Sequence, residues 1–107
     1  MKECLFERLY KEYEEFKSSI LKLSKLDIFN KCYEIDVMTN IYDILIDKAD
    51  NMSDEEAGTL LNRSHILYEL YGLWLKRDDY NYSELESFIY EEIGIYGKEV
   101  KQWNKIP

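Results

Sequence analysis

No glycine or proline occurs before Gly58, and the only proline is the last residue, Pro107. These two residues interrupt helices most effectively, one through backbone freedom and the other through its missing N–H. A stretch of this length without either is free to run as helix wherever its apolar side chains find a common face. Leu5, Leu9, Tyr13, Phe16, Ile20 and Leu23 recur at steps of four and three, which predicts a first helix from Lys2 to Leu23 with one buried stripe. Ser24 and Asp27 are N-cap candidates for a second helix reaching about Asp47. Two adjacent apolar rows run along it, Ile28, Cys32, Ile35, Met38, Tyr42, Leu45, Ala49 and Phe29, Tyr33, Val37, Ile41, Ile44. It is therefore expected to be the central, most buried element.

Ser53 followed by Glu56 is a capping-box spacing, opening a short helix through Leu61. Ile66, Leu67, Leu70, Leu73 and Trp74 mark a fourth helix. Leu85, Phe88, Ile89, Ile93, Tyr96, Val100 and Trp103 mark a fifth, preceded by a second capping-box spacing at Ser83 and Glu86. Asp78 to Tyr82 contains no Gly or Pro, so these two helices can be continuous. Gly94 and Gly97 share a face and mark a kink or a close helix contact. The expectation is an all-α, compact bundle of four or five helices, with residues 1–107 as a single domain.

Hydrophobic residues are 46% of the chain and the formal charge is -8, enough apolar surface for a folded core with an acidic exterior. With no basic stripe, direct nucleic-acid binding is not expected. Glu3, Glu7, Glu12, Glu14 and Glu15 interrupt the start of the chain, which predicts no signal peptide, no membrane partner and a cytoplasmic location. Cys4 and Cys32 lack metal-ligand spacing and read as reduced, partly buried thiols.

His65 is the only histidine, and no nucleophile elbow, phosphate-binding loop or dinucleotide fingerprint is present. The expectation is no enzyme: no catalytic residue, no metal and no cofactor. A thiol hydrolase built on Cys4 or Cys32 with His65 is the minor alternative.

Asp36, Asn40, Asp43, Asp47 and Asp50 follow one another at steps of four, three, four and three, so they stack on one helical face. Like charges one turn apart repel by roughly 0.2–0.5 kcal/mol per pair, so folding alone does not call for them. Asp54, Glu55 and Glu56 extend the acidic run, in which Lys48 is the only cation between Glu34 and Glu56. Carboxylates about 5–6 Å apart along a helix approximate the spacing of backbone phosphates. A second candidate surface joins Asp78 and Asp79 to Tyr80, Tyr82, Tyr68, Tyr71 and Tyr90, aromatic residues with an acidic rim. Tyr10, Tyr13, Tyr33, Tyr42 and Tyr96 sit at core periodicity and are assigned to packing.

The segments Leu9-Tyr10-Lys11-Glu12-Tyr13-Glu14-Glu15-Phe16, Cys32-Tyr33-Glu34 and Ser53-Asp54-Glu55-Glu56-Ala57-Gly58-Thr59-Leu60-Leu61 give the chain a further likeness. It resembles a family of short uncharacterised proteins carried on conjugative elements, plasmids and prophages of AT-rich bacteria, over most of its length to about Ile89. Codon bias agrees, since Ile, Lys, Asn and Tyr are abundant while Gly, Ala, Arg and Pro are scarce. The chain is similar to small acidic anti-CRISPR proteins in size and charge only. The resemblance implies no catalytic residues and a mobile-element accessory role. The leading expectation is an inhibitor whose Asp36, Asp43, Asp47, Asp50, Asp54, Glu55 and Glu56 occupy a basic nucleic-acid channel of a host protein, a Cas nuclease being one candidate. The rival is a self-associating helical adaptor, a homodimer without inhibitory activity.

Overall fold

The computed structural model describes residues 2–76 and 85–93, and every regular element among them is helical: α1 Lys2–Leu21, α2 Lys25–Asn30, α3 Cys32–Ala49, α4 Asp54–Leu61, α5 Ile66–Leu75 and α6 over 85–93. The all-α bundle is thus the fold. The expectations for Ser83, Tyr96, Val100, Trp103, Gly94 and Gly97, and for continuity between the last two helices, lie outside the described residues.

Each helix contributes one apolar face to a common core. From α1 come Leu5, Leu9, Phe16 and Ile20, from α3 Val37, Met38, Ile41, Leu45 and Ala49, and from α5 Ile66, Leu67, Leu70 and Trp74. Ala57 and Leu60 of α4 and Leu85, Phe88, Ile89 and Ile93 of α6 complete it. No polar or charged residue is buried among the described ones. α3 lies between α1 and α5, so its burial follows from having a neighbour on two sides. Met38 and Ile41 are fully enclosed and Ile35 is half-buried against them.

The helix expected from Ser24 to Asp47 is two helices. Ser24 does cap its start, accepting from the Asp27 amide at 3.2 Å. At Lys31, however, φ is -103° and ψ 15°, and its N–H bonds three residues back to the Ile28 carbonyl at 3.0 Å. This tightened turn interrupts the regular helix: Ile28 and Ile35 of the first row still pack on the core, but the second row no longer shares one face. Phe29 is consequently 71% exposed, Tyr33 lies at the surface, and Cys32 is exposed rather than partly buried. Cys4 is exposed as well, and both thiols are free.

The capping box of α4 is complete. Ser53 Oγ accepts from the Glu56 amide at 3.1 Å, and Glu56 Oε1 accepts from the Ser53 amide at 2.9 Å. Replacing Ser53 by Ala removes one acceptor from an exposed helix start, and thermal unfolding should show a loss of about 1 kcal/mol. An unchanged midpoint would mean that water caps the helix equally well.

The start of α5 is held differently. His65 is its N-cap residue but makes no side-chain cap bond. Instead Glu12 of α1 accepts from the Ile66 amide at 3.0 Å and the Leu67 amide at 2.9 Å, and from Arg8 Nε at 2.7 Å. Arg8 in turn donates to the carbonyls of Arg63 and Ser64 in the preceding loop. One ion pair on α1 therefore satisfies donors and acceptors more than fifty positions away. Glu69 closes the same loop: the His65 amide donates to it at 2.9 Å and, with Arg63 beside it, holds its carboxyl below the usual range.

Candidate partner-binding surface

Because α3 turns Val37, Met38, Ile41, Leu45 and Ala49 inward, the residues half a turn away must face outward. Asp36, Asp43, Asp47 and Asp50 are all exposed, and Asn40 is half-exposed between them. The amide of Asn40 donates to the Asp36 carbonyl at 2.9 Å and to its carboxylate at 3.2 Å, spacing two of the acids by a neutral group. Asp47 keeps 77% of its side chain in solvent although Lys48 Nζ is 3.8 Å away. That lysine is drawn toward α6: its ammonium lies 3.6 Å from Glu86 and 4.7 Å above the Tyr90 ring. The hydrogen bond to Tyr90, together with the charges of Glu86 and Asp47, raises its pKa above the ordinary lysine value. Among the described residues Asp43 enters no ion pair.

The acids that follow have structural reasons to be there. Asp54 and Glu55 are exposed in the first turn of α4, where negative charge complements the helix dipole. Glu56 is committed to the capping box. Lys2 Nζ bonds to Asp50 only through its backbone carbonyl, at 2.6 Å, which any residue would offer. The part of the run whose charge local folding leaves unexplained is Asp36, Asp43, Asp47 and Asp50. Asp78, Asp79, Tyr80 and Tyr82 lie outside the described residues.

The tyrosines divide differently from their periodicity. Tyr10, assigned to packing, is 58% exposed because it lies on the outer side of α1 from Leu9. Tyr13 and Tyr42 stack at 4.3 Å with planes 7° apart, and the Tyr13 hydroxyl bonds to Thr39 Oγ1 at 3.2 Å. Burial, then the proximity of Tyr10, Asp43, Glu14 and Tyr13, raises the Tyr42 phenol above its usual pKa. An aromatic ledge of Tyr10, Tyr13 and Tyr42 thus borders the acidic face at Asp43. Sequence periodicity missed this ledge; the signal was Tyr42 preceding Asp43 directly. On another side of the bundle, Tyr68 meets Phe16 edge-on at 5.9 Å and Tyr71 packs partly into the core. Tyr33, Tyr68 and Tyr71 cluster near Glu34; burial first, and then the Glu34 charge, raises the phenol pKa of Tyr68 and Tyr71.

A half-open groove of about 310 Å³ runs between α1 and α5, lined by Glu12, Glu15, Phe16, Ser19, His65, Leu67 and Tyr68. Its carboxylate Glu12 is already saturated by the α5 amides and Arg8. Neither thiol hydrogen-bonds to His65, and no group of three metal-ligating side chains is present among the described residues. No described helix is long and apolar enough to cross a membrane. No protein-family model, curated protein or solved structure matches this chain.

Proposed function

We propose that the chain is a non-enzymatic inhibitor that occupies the basic nucleic-acid channel of a host protein with the outer face of α3. The observation carrying this reading is the exposure of Asp36, Asp43 and Asp47 along one helical face, with Asp43 in no ion pair among the described residues. Repulsion along such a face is a cost to folding that binding to Lys and Arg would offset. The rigid helix fixes Asp43 and Asp47 one turn apart, about 6 Å and near a phosphate interval, with Asp36 about 10 Å before Asp43 and the neutral Asn40 between them. The neighbouring Tyr10 and Tyr42 add the amphipathic contact area that anchors protein interfaces. The resemblance to mobile-element proteins directs the search to host defence nucleases, a Cas nuclease among them.

The test is the double reversal Asp43→Lys and Asp47→Lys. Both side chains are at the surface, so stability should move by no more than about 0.5 kcal/mol. Partner binding at low salt should fall by about tenfold or more, and wild-type binding should weaken steeply as salt rises. If the double variant captures a basic nuclease as tightly as the wild type, this face is solvated surface and the mechanism is wrong.

A further inference from the structure

The turn joining α1 to α2 exposes three large apolar side chains that the core does not use. Leu21 is 69% exposed, Leu26 68% and Phe29 71%. Leu26 and Phe29 are three apart on α2 and share a face, while Leu21 closes the end of α1 a few residues away. Around them stand Lys17, Lys22, Lys25 and Lys31, all exposed, against the single acid Asp27 between Phe16 and Tyr33. Lys17 lies one turn before Leu21 and Lys25 one turn before Phe29, so charge and apolar group project together. Lys31 is 3.8 Å from Glu34; Lys17, Lys22 and Lys25 enter no ion pair among the described residues. In a chain of formal charge -8, the stretch between Phe16 and Tyr33 carries four lysines against one acid.

We propose that this lysine-ringed tip docks on the surface of an anionic phospholipid bilayer, the three apolar side chains entering the headgroup boundary. Two observations favour a bilayer over a second copy of the chain. At about 70% exposure the tip offers roughly 400 Å² of apolar side chain, half of the about 800 Å² per partner of a standard protein interface. The acidic face of another copy would supply charge, but its apolar border is the ledge of Tyr10, Tyr13 and Tyr42, in which the Tyr13 and Tyr42 rings are already stacked on each other at 4.3 Å. A bilayer needs no pre-formed pocket and combines both attractions, with apolar side chains buried about 5–10 Å deep and lysines on anionic headgroups. Asp43 and Asp47 lie eleven and fifteen positions along α3 from Cys32, about 16–22 Å at helical rise, beyond the Debye length of about 8 Å. Asp36, only four positions from Cys32 and about 6 Å away at helical rise, stays within that length, so one carboxylate of the acidic face opposes the four lysines and lowers the attraction without cancelling it. Docking by this tip is distinct from spanning, which no described helix can do.

Co-sedimentation with vesicles tests it, using equal parts phosphatidylglycerol and phosphatidylcholine against phosphatidylcholine alone. The wild-type protein should bind the mixed vesicles at physiological ionic strength and not the neutral ones. Each lysine at an anionic surface is worth about fivefold in affinity, so Lys22→Ala with Lys25→Ala should weaken binding about thirtyfold. Leu26→Ser with Phe29→Ser should weaken it by more than about tenfold, with circular dichroism unchanged because both residues lie outside the core. No binding to the mixed vesicles, or equal binding by the variants, overturns the proposal. So does light scattering that finds a wild-type dimer made monomeric by Leu26→Ser and Phe29→Ser, which would assign the tip to a second copy.

Discussion

Replacing Trp74 by Ala should destabilise the protein by about 3–5 kcal/mol, read as a lower urea midpoint with an unchanged slope. The indole is fully buried, its Nε1 donates to the Tyr33 hydroxyl at 2.8 Å, and its ring meets Phe88 edge-on at 5.4 Å. It thereby joins α5 to α3 and α6 at one point. Truncation leaves a cavity among Leu and Ile side chains that cannot collapse without moving a helix, so transfer and cavity costs add. Against a total stability of about 5–15 kcal/mol for a domain, that brings the chain close to unfolding. Trp74→Phe separates volume from the hydrogen bond. It retains most of the ring while removing the indole donor from the part-buried bond to the Tyr33 hydroxyl. A loss of about 1–2 kcal/mol is expected there. If the alanine variant shifts by less than about 1 kcal/mol, the joint between α5 and α6 contributes little to the native state.

How legible such features were depends on the range of the interaction that creates them. The stripe Leu5, Leu9, Phe16 and Ile20 follows from periodicity alone, because any helix with that pattern must bury that face. The capping box at Ser53 is equally local, complete within four residues. The break at Lys31 was not legible: no glycine or proline marks it, and the two apolar rows continue across it without a change of period. A row of side chains predicts a common face only while the axis stays straight. The turn at Lys31 sends Phe29 outward while Val37 remains in the core. The place of Phe29 in the basic apolar tip is a consequence of that turn.

The acidic face was legible in part for the same reason as the core. Once Val37, Met38, Ile41 and Leu45 turn inward, Asp36, Asp43 and Asp47 have only one direction left. The roles within the run were harder to separate, because an acid that caps a helix and one that awaits a partner are the same letter. Glu56 is spent on Ser53, whereas Asp43 is in no ion pair among the described residues. Tyr10 was misplaced because one turn of α1 carries both Leu9, which is buried, and Tyr10, which is not. Which protein would receive the carboxylates is not encoded in their spacing.

Least legible of all was Glu12, and its removal is the second large effect to expect. On sequence it reads as a surface acid paired with Arg8 one turn earlier, worth a few tenths of a kcal/mol. The structure gives it only 9% side-chain exposure and three donors: the Ile66 and Leu67 amides and Arg8 Nε. Those amides are the orphan donors at the start of α5, and no nearer side chain caps them. Glu12→Ala strands them together with Arg8 Nε, while the rest of the guanidinium keeps its bonds to the Arg63 and Ser64 carbonyls. Arg8 retains some access to water, and this reduces the penalty below that of a sealed ion pair. A loss of about 2–4 kcal/mol is expected in urea unfolding, with amide exchange quickening first at Ile66 and Leu67. Glu12→Gln should not restore it, since one carbonyl oxygen and one amide cannot accept from three donors. Arg8→Ala should cost less alone, and the pair should couple by more than about 0.5 kcal/mol in a double-mutant cycle. A Glu12→Ala variant within about 0.5 kcal/mol of the wild type would show that water serves the start of α5 as well as α1 does. The expected result makes this one carboxylate, flanked by Leu9 and Phe16 of the buried stripe, the link that sets α5 in register against α1.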